Sequence, residues 1–250
     1  MFELIKELDK FNEIRFNDPD HSYFFKDRPC MSVTEFIWSY KKPFPAEIIA
    51  AKYAKKHGLT KQEVLDDWEE KKVTAQVKGT EIHKYIEMKF CCRNYVPNLD
   101  VDLGLIEMVD NFHKDTKNKL IPIKQEFIVG DYTMGICGTI DSLFYNKKSN
   151  EIQIWDYKTN KDITYKSKYK KKMMDEVKHL EECEMNTYSL QLEIYKQIIE
   201  RNTSLKVGKK FLCWFNENND NYKIIETIEL KDEVTKLLNS LIWQQRAEIN

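Results

Sequence analysis

Ile152-Gln153-Ile154-Trp155-Asp156-Tyr157-Lys158-Thr159 decides the fold. Its apolar start reads as a strand sunk in a core, and it ends in Asp-x-Lys. Alternation along a strand puts Asp156 and Lys158 on one face, two residues apart. Such a carboxylate and ammonium can be a plain ion pair, contributing about 0–1 kcal/mol if exposed. The catalytic alternative needs a second carboxylate. Asp141, in Gly138-Thr139-Ile140-Asp141 on the preceding strand, supplies it. The turn at residues 146–150 is expected to bring Asp141 toward Asp156 only through a stagger or bulge, because a tight in-register hairpin pairs other residues. Two carboxylates and a backbone carbonyl, that of Tyr157, offer the oxygen ligands Mg²⁺ prefers. A hard cation there stabilises charge on a phosphate and lowers the pKa of water. A lysine beside it can orient the attacking water and offset developing negative charge.

Working outward, residues 122–129 and 133–145 are also β-rich, separated by Gly130-Asp131. Upstream, residues 14–16 and 21–25 suggest a strand pair about a turn at residues 17–20. Ser32 or Thr34 can cap a helix through Phe36, Ile37 and Tyr40, stopped by Pro43 and Pro45. Residues 46–89 have a helical pattern divided at Gly58, with Thr60 and Glu63 spaced as a capping box. Residues 103–119 put Leu105, Met108, Val109 and Phe112 on one helical face. Downstream, residues 184–199 are helical, 207–215 and 222–230 strand-like, and 232–245 helical. The expected fold class is α/β, a mixed central sheet flanked by helices. It forms one domain, in which residues 1–120 are a mainly helical wall and 121–250 the sheet core.

Gly138-Thr139-Ile140-Asp141 followed by Trp155-Asp156-Tyr157-Lys158-Thr159 resembles the GxxD…DxKT arrangement of RecB-like nucleases in the PD-(D/E)XK superfamily. Gly79-Thr80-Glu81-Ile82-His83, with Glu87 one turn on, is similar to that family's GTxxHxxxE helix. Gln191-Leu192-Glu193-Ile194-Tyr195 is similar to its QxxxY helix. His21-Ser22-Tyr23 and Ser32-Val33-Thr34 resemble the opening of phage-type and mitochondrial genome maintenance exonucleases. The resemblance runs from about Phe16 to Glu200 and implies a restriction-endonuclease-like core. It implies that Asp141, Asp156 and Lys158 are catalytic, and that Mg²⁺ or Mn²⁺ is held by Asp141, Asp156, the Tyr157 carbonyl, His83 and Glu126, with two metals possible in such a site. His83 can equally be a structural residue of an amphipathic helix, and Glu126 a strand residue facing solvent. Gln191 and Tyr195, one helical turn apart, support substrate or simply pack.

After the catalytic strand come Lys158, Lys161, Lys166, Lys168, Lys170, Lys171 and Lys172, with Tyr165 and Tyr169 among them. Such a run can be a solvated loop. As a lip beside the site, the run would hold a phosphate backbone while the tyrosines stack on bases, with Thr159, Lys161, Tyr165, Lys166 and Lys168 as the substrate-binding candidates. Local charge carries this reading, since 40 basic and 41 acidic residues give a net charge of −1. Cys30, Cys91, Cys92, Cys137, Cys183 and Cys213 have no zinc spacing, and no iron–sulfur cluster is expected because the downstream cysteines are isolated. No GxxxxGK[ST] motif is present, so helicase activity is not expected. The start has no signal-peptide core and no stretch has membrane-spanning length. A soluble, non-secreted, cytoplasmic protein is expected, in the host cytoplasm if viral; the resemblance suggests phage origin. The functional expectation is a metal-dependent DNA exonuclease acting on single strands or DNA ends in replication, recombination or repair, with proteins of those processes as partners. An endonuclease with the same site and an inactive nucleic-acid-binding subunit are the alternatives.

Overall fold

A computed structural model describes residues 2–17, 20–97 and 102–249, and of residues 242–249 the backbone alone. The chain opens with helix α1 (Phe2–Leu8), a 3-10 turn (Asp9–Glu13) and three short strands, β1 (Ile14–Asn17), β2 (Ser22–Phe25) and β3 (Arg28–Ser32). Helices α2 (Val33–Ser39), α3 (Ala46–His57), α4 (Lys61–Phe90) and α5 (Leu103–Thr116) follow. Then come strands β4 (Leu120–Asp131), β5 (Ile136–Asn146) and β6 (Glu151–Lys158). Helix α6 (Glu184–Asn202), strands β7 (Val207–Trp214) and β8 (Lys223–Glu226), and helix α7 (Lys231–Ile249) complete it. Asp18 and Pro19 of the expected first turn lie outside the described residues.

Local chemistry sets the helix boundaries. Ser32 Oγ accepts the Glu35 amide at 3.0 Å and starts α2. Thr60 and Glu63 form a reciprocal capping box at the head of α4. Gly58 ends α3 at φ 69°, a left-handed position that favours glycine.

The strands form one mixed sheet, ordered β1-β2-β3-β5-β6-β7-β8, with β4 also paired to β5. On one face α1, α2, α6 and α7 bury Leu8, Phe36, Ile37, Leu190, Ile194 and Leu237 against Ile140, Leu143, Ile152 and Ile154. On the other face α4 and α5 bury Ile82, Ile86, Val109 and Phe112 against Phe144, Trp155 and Tyr157. The mixed α/β class is therefore as expected.

Three details depart from the sequence reading. Strand β3 was not expected, because Pro29 removes a ladder donor and is depleted from strands. It pairs antiparallel with β2 and parallel with β5, so the N-terminal portion adds strands to the sheet as well as helices. The last hairpin strand is shorter than residues 222–230, since β8 ends at Glu226. Most consequentially, no stagger or bulge links β5 to β6. Their register is regular from Asn146↔Glu151 to Ser142↔Trp155, and the next step along it sets Asp141 across from Asp156. A loop of residues 147–150 gives this pairing directly. Among the described residues no helix is long and apolar enough to cross a membrane.

Candidate active site

The sheet forks along β5. β4 occupies one edge of β5 along its length. β3, at Ile136 and Cys137, and β6, from Ser142 onward, share the other edge. Residues 138–141 lie between them, and Asp141 stands in the crotch. On its β4 side the neighbouring pairs are Gln125↔Ser142 and Phe127↔Ile140, so Glu126 faces Asp141. Glu126, Asp141 and Asp156 thus form a row across three adjacent strands. Glu126 has a φ of 45°, which turns its backbone out of the ladder at this point. Where the β5–β6 ladder stops, the Tyr157 amide donates to Asp141 Oδ2 at 2.6 Å.

Helix α4 brings in His83. Its Nδ1 lies 3.5 Å from Asp141 Oδ2, and its Nε2 lies 2.9 Å from the Tyr157 carbonyl oxygen. One ligand atom each from His83, Glu126 and Asp141 lie within 4.8 Å of one another. A cleft of about 350 Å³ lined by Gly79, Thr80, His83, Lys84, Glu87 and Glu126 leads to them. Gly79 permits the approach of α4: a Cβ there would lie 3.3 Å from Thr159 Oγ1.

Lys158 Nζ lies 2.5 Å from Asp156 Oδ2, and 4.5 Å from the centre of the Tyr188 ring on α6. The geometry with Asp156 is an ion pair outside hydrogen-bond alignment, for Asp156 Oδ2 is buried without a hydrogen bond. Burial first, then Asp141, push the Asp156 carboxyl up to about 6, against the opposing charge of Lys158. Burial alone would lower the Lys158 pKa, but Asp156 and Asp141 outweigh it and raise it. Near pH 7 the pair is therefore carboxylate and ammonium. Glu126 is open to solvent on one side yet densely surrounded on the other. Desolvation, then Asp141, Glu87 and Asp156, push it up to about 8.

A carboxylate pair and an imidazole whose ligand atoms lie this close, with a third carboxylate beside them, have the character of a divalent-cation site. The donor set of Asp141, Asp156, Glu126, the Tyr157 carbonyl and His83 is rich in hard oxygens with one imidazole. It fits Mg²⁺ or Mn²⁺.

Residues 52–250 match the family model of the PD-(D/E)XK nuclease superfamily. The chain belongs to this superfamily. Its members generally use divalent metals, in keeping with the acidic cluster. No curated protein matches the sequence. The crystal structure of SSO0001 is similar over 98% of this chain and 86% of its own, at 13% identity and a TM-score of 0.36. That of a protein from Eubacterium rectale assigned as an exonuclease is similar over 97% and 78%, at 12% identity and a TM-score of 0.38. At such scores neither likeness speaks to activity.

The remaining expected residues of this PD-(D/E)XK chain are placed unequally. Gln191 Nε2 donates to the Tyr195 hydroxyl at 3.2 Å, and Gln191 lines a groove that also holds Lys158. Tyr195 itself is buried against Gly138, where a Cβ would come within 2.7 Å of its ring. It supports β5 and reaches the groove only through Gln191. Thr159 and Lys161 line a separate cleft beside α4. Tyr165, Lys166 and Lys168 are exposed. Their segment is nevertheless pinned: Ile163, Met173 and Val177 are buried, and the Met174 amide donates to the Tyr40 carbonyl at 2.8 Å. Tyr188 beneath Lys158 was missed by the sequence reading, and Tyr23, quoted there only within its motif, places its hydroxyl 2.9 Å from Thr139 Oγ1. Tyr188 sits three residues before Gln191 on the same helix, which was the available signal.

Proposed function

We propose that this nuclease is a Mg²⁺- or Mn²⁺-dependent deoxyribonuclease that shortens DNA from single-stranded or free ends, in replication, recombination or repair. The observation that carries the reading is the convergence of Asp141, Asp156, Lys158, His83 and the Tyr157 carbonyl at the sheet fork. Asp141, Asp156 and the Tyr157 carbonyl would hold the cation, with His83 and Glu126 completing its surroundings. When bound, the cation supplies charge stabilisation at the phosphate and lowers the pKa of a water.

The chain's own groups do the rest. Asp156 and the Tyr188 ring hold Lys158 between them, a cation fixed by an opposite charge and an aromatic face. Lys158 so held orients the attacking water and offsets negative charge as the phosphodiester is attacked. No side chain is required as a nucleophile, so hydrolysis is direct. Exposed Lys161, Lys166 and Lys168 would guide the backbone toward the cleft. The choice of ends over internal bonds rests on the resemblance carried by His21-Ser22-Tyr23 and Ser32-Val33-Thr34.

The test is degradation of end-labelled linear single- and double-stranded DNA with Mg²⁺ or Mn²⁺, beside Lys158→Ala and Asp156→Ala. Wild type is expected to shorten DNA from its ends, and both folded variants to be inactive. Nicking of circular single strands would replace the exonuclease reading with an endonuclease. Equal activity of wild type and variants would dismiss the site.

A further inference from the structure

The groove between α2 and α6 holds groups that the hydrolytic step leaves unused. It encloses about 430 Å³, within the range of ligand sites, and Lys158 and Gln191 lie on it. Trp38 of α2 lines it with 56% of its surface exposed. Lys41 Nζ rests 4.6 Å from the centre of the Trp38 ring. On the opposite wall, Glu182 Oε2 is buried without a hydrogen bond. An acceptor left in that state costs free energy until a donor reaches it.

These features restrict the occupant. A bare phosphate would make no use of the indole and would be repelled by Glu182 and Glu184, which share the groove. An aliphatic side chain would leave Glu182 Oε2 without a donor. A nucleobase satisfies both, stacking a flat face on the indole and presenting N–H groups to the carboxylate. In a duplex both faces of each base are covered by its stacked neighbours, so a base whose face meets the indole must be unstacked and unpaired. Its position on the same groove as Lys158 places its own phosphate toward the reacting centre, with Lys41 available as a countercharge.

We propose that this groove is a nucleobase subsite that holds one unpaired nucleotide beside the scissile phosphate. Trp38 stacks on the base, and Glu182 favours bases bearing an exocyclic amino group, adenine, cytosine and guanine, over thymine, whose one donor is its ring N3–H. The proposal rests on the nuclease reading for the identity of the polymer, and it explains a single-stranded requirement as the need to present a free base.

The test is equilibrium binding of fluorescein-labelled oligo(dA), oligo(dC) and oligo(dT) by anisotropy in EDTA, where cleavage plays no part. Wild type is expected to bind oligo(dA) and oligo(dC) on the order of tenfold tighter than oligo(dT). Trp38→Ala should weaken all three about tenfold, and Trp38→Phe should recover most of the loss. Glu182→Ala should erase the preference and leave oligo(dT) binding as it was. Melting temperatures establish that the variants fold. Binding without base preference, no binding, or folded variants that bind as wild type does would each overturn the subsite. Selective binding by a protein that cleaves no DNA would keep the subsite and remove the nuclease reading instead.

Discussion

Glu126 sits mid-strand in the left-handed region, a conformation costing on the order of 1–3 kcal/mol for a residue with a side chain. The same residue turns its carboxyl toward two others. Strain and repulsion at one point are tolerable when a cation repays them, and this gives a pH signature. Asp156, raised from 3.8 to about 6, and Glu126, raised from 4.5 to about 8, keep protons in the folded state that the unfolded chain releases. The stability this confers is complete below about pH 4 and is lost as pH climbs through those two values. For buried Asp156 the loss is on the order of 3 kcal/mol. With EDTA, the melting temperature should fall between about pH 5 and 9, and Glu126→Gln should flatten the upper part of the fall. Mg²⁺ or Mn²⁺ must displace the protons, so its stabilisation should be larger near pH 8.5 than near pH 5.5. Equal stabilisation at both values in thermal melts would refute the cation site.

At the scale of elements, two glycines show how strands and helices are brought to the site. Gly138→Ala drives a Cβ to 2.7 Å from the Tyr195 ring, which is buried and has nowhere to go. Overpacking of this kind costs about 1–3 kcal/mol. Its effect should reach activity, because β5 carries Asp141 three residues on. Gly79→Ala meets only the Thr159 hydroxyl at 3.3 Å and gains about 1 kcal/mol of helix propensity inside α4, so its thermal stability should fall little or not at all. Comparable losses would mean that α4 is as tightly wedged as β5. The same scale explains what could be read in advance. The capping box of α4, the apolar stripes of α6 and the apolar runs of β5 and β6 are local signals, so these elements and the Asp141, Asp156 and Lys158 trio were legible. Strand β3 was not, since five residues with a proline gain strand character only by pairing with β2 and β5. The row of carboxylates was hidden for a related reason. Glu126 faces Asp141 only because β4 and β5 pair over their whole length, a long-range register that no local pattern specifies. The α2–α6 groove is likewise tertiary, uniting Trp38 with Tyr188 across about 150 positions of chain.

Across the whole molecule, the site depends on two helical layers keeping their height on one sheet, because His83 comes from one layer and Tyr188 from the other. The α6 layer is tied to the sheet by a buried charge pair: Lys210 Nζ of β7 lies 2.6 Å from Glu193 Oε2 of α6, at 2% and 0% side-chain exposure. Glu229 adds a second, more exposed carboxylate at 3.3 Å. A buried pair of this sort is weak as a source of net stability, since desolvation consumes most of its attraction, but removing one member strands the other. Lys210→Met should therefore cost about 3–5 kcal/mol in denaturant unfolding. Lys210→Met with Glu193→Leu should recover much of that loss, because an apolar pair of similar volume avoids both desolvation terms. The two proteins separate stability from registry. If the charge pair also sets the height of α6, the double variant should unfold like wild type yet hydrolyse DNA more slowly, its Tyr188 no longer seated under Lys158. Full activity in the stable double variant would show that packing of Leu190, Ile194 and Ile198 alone sets that height.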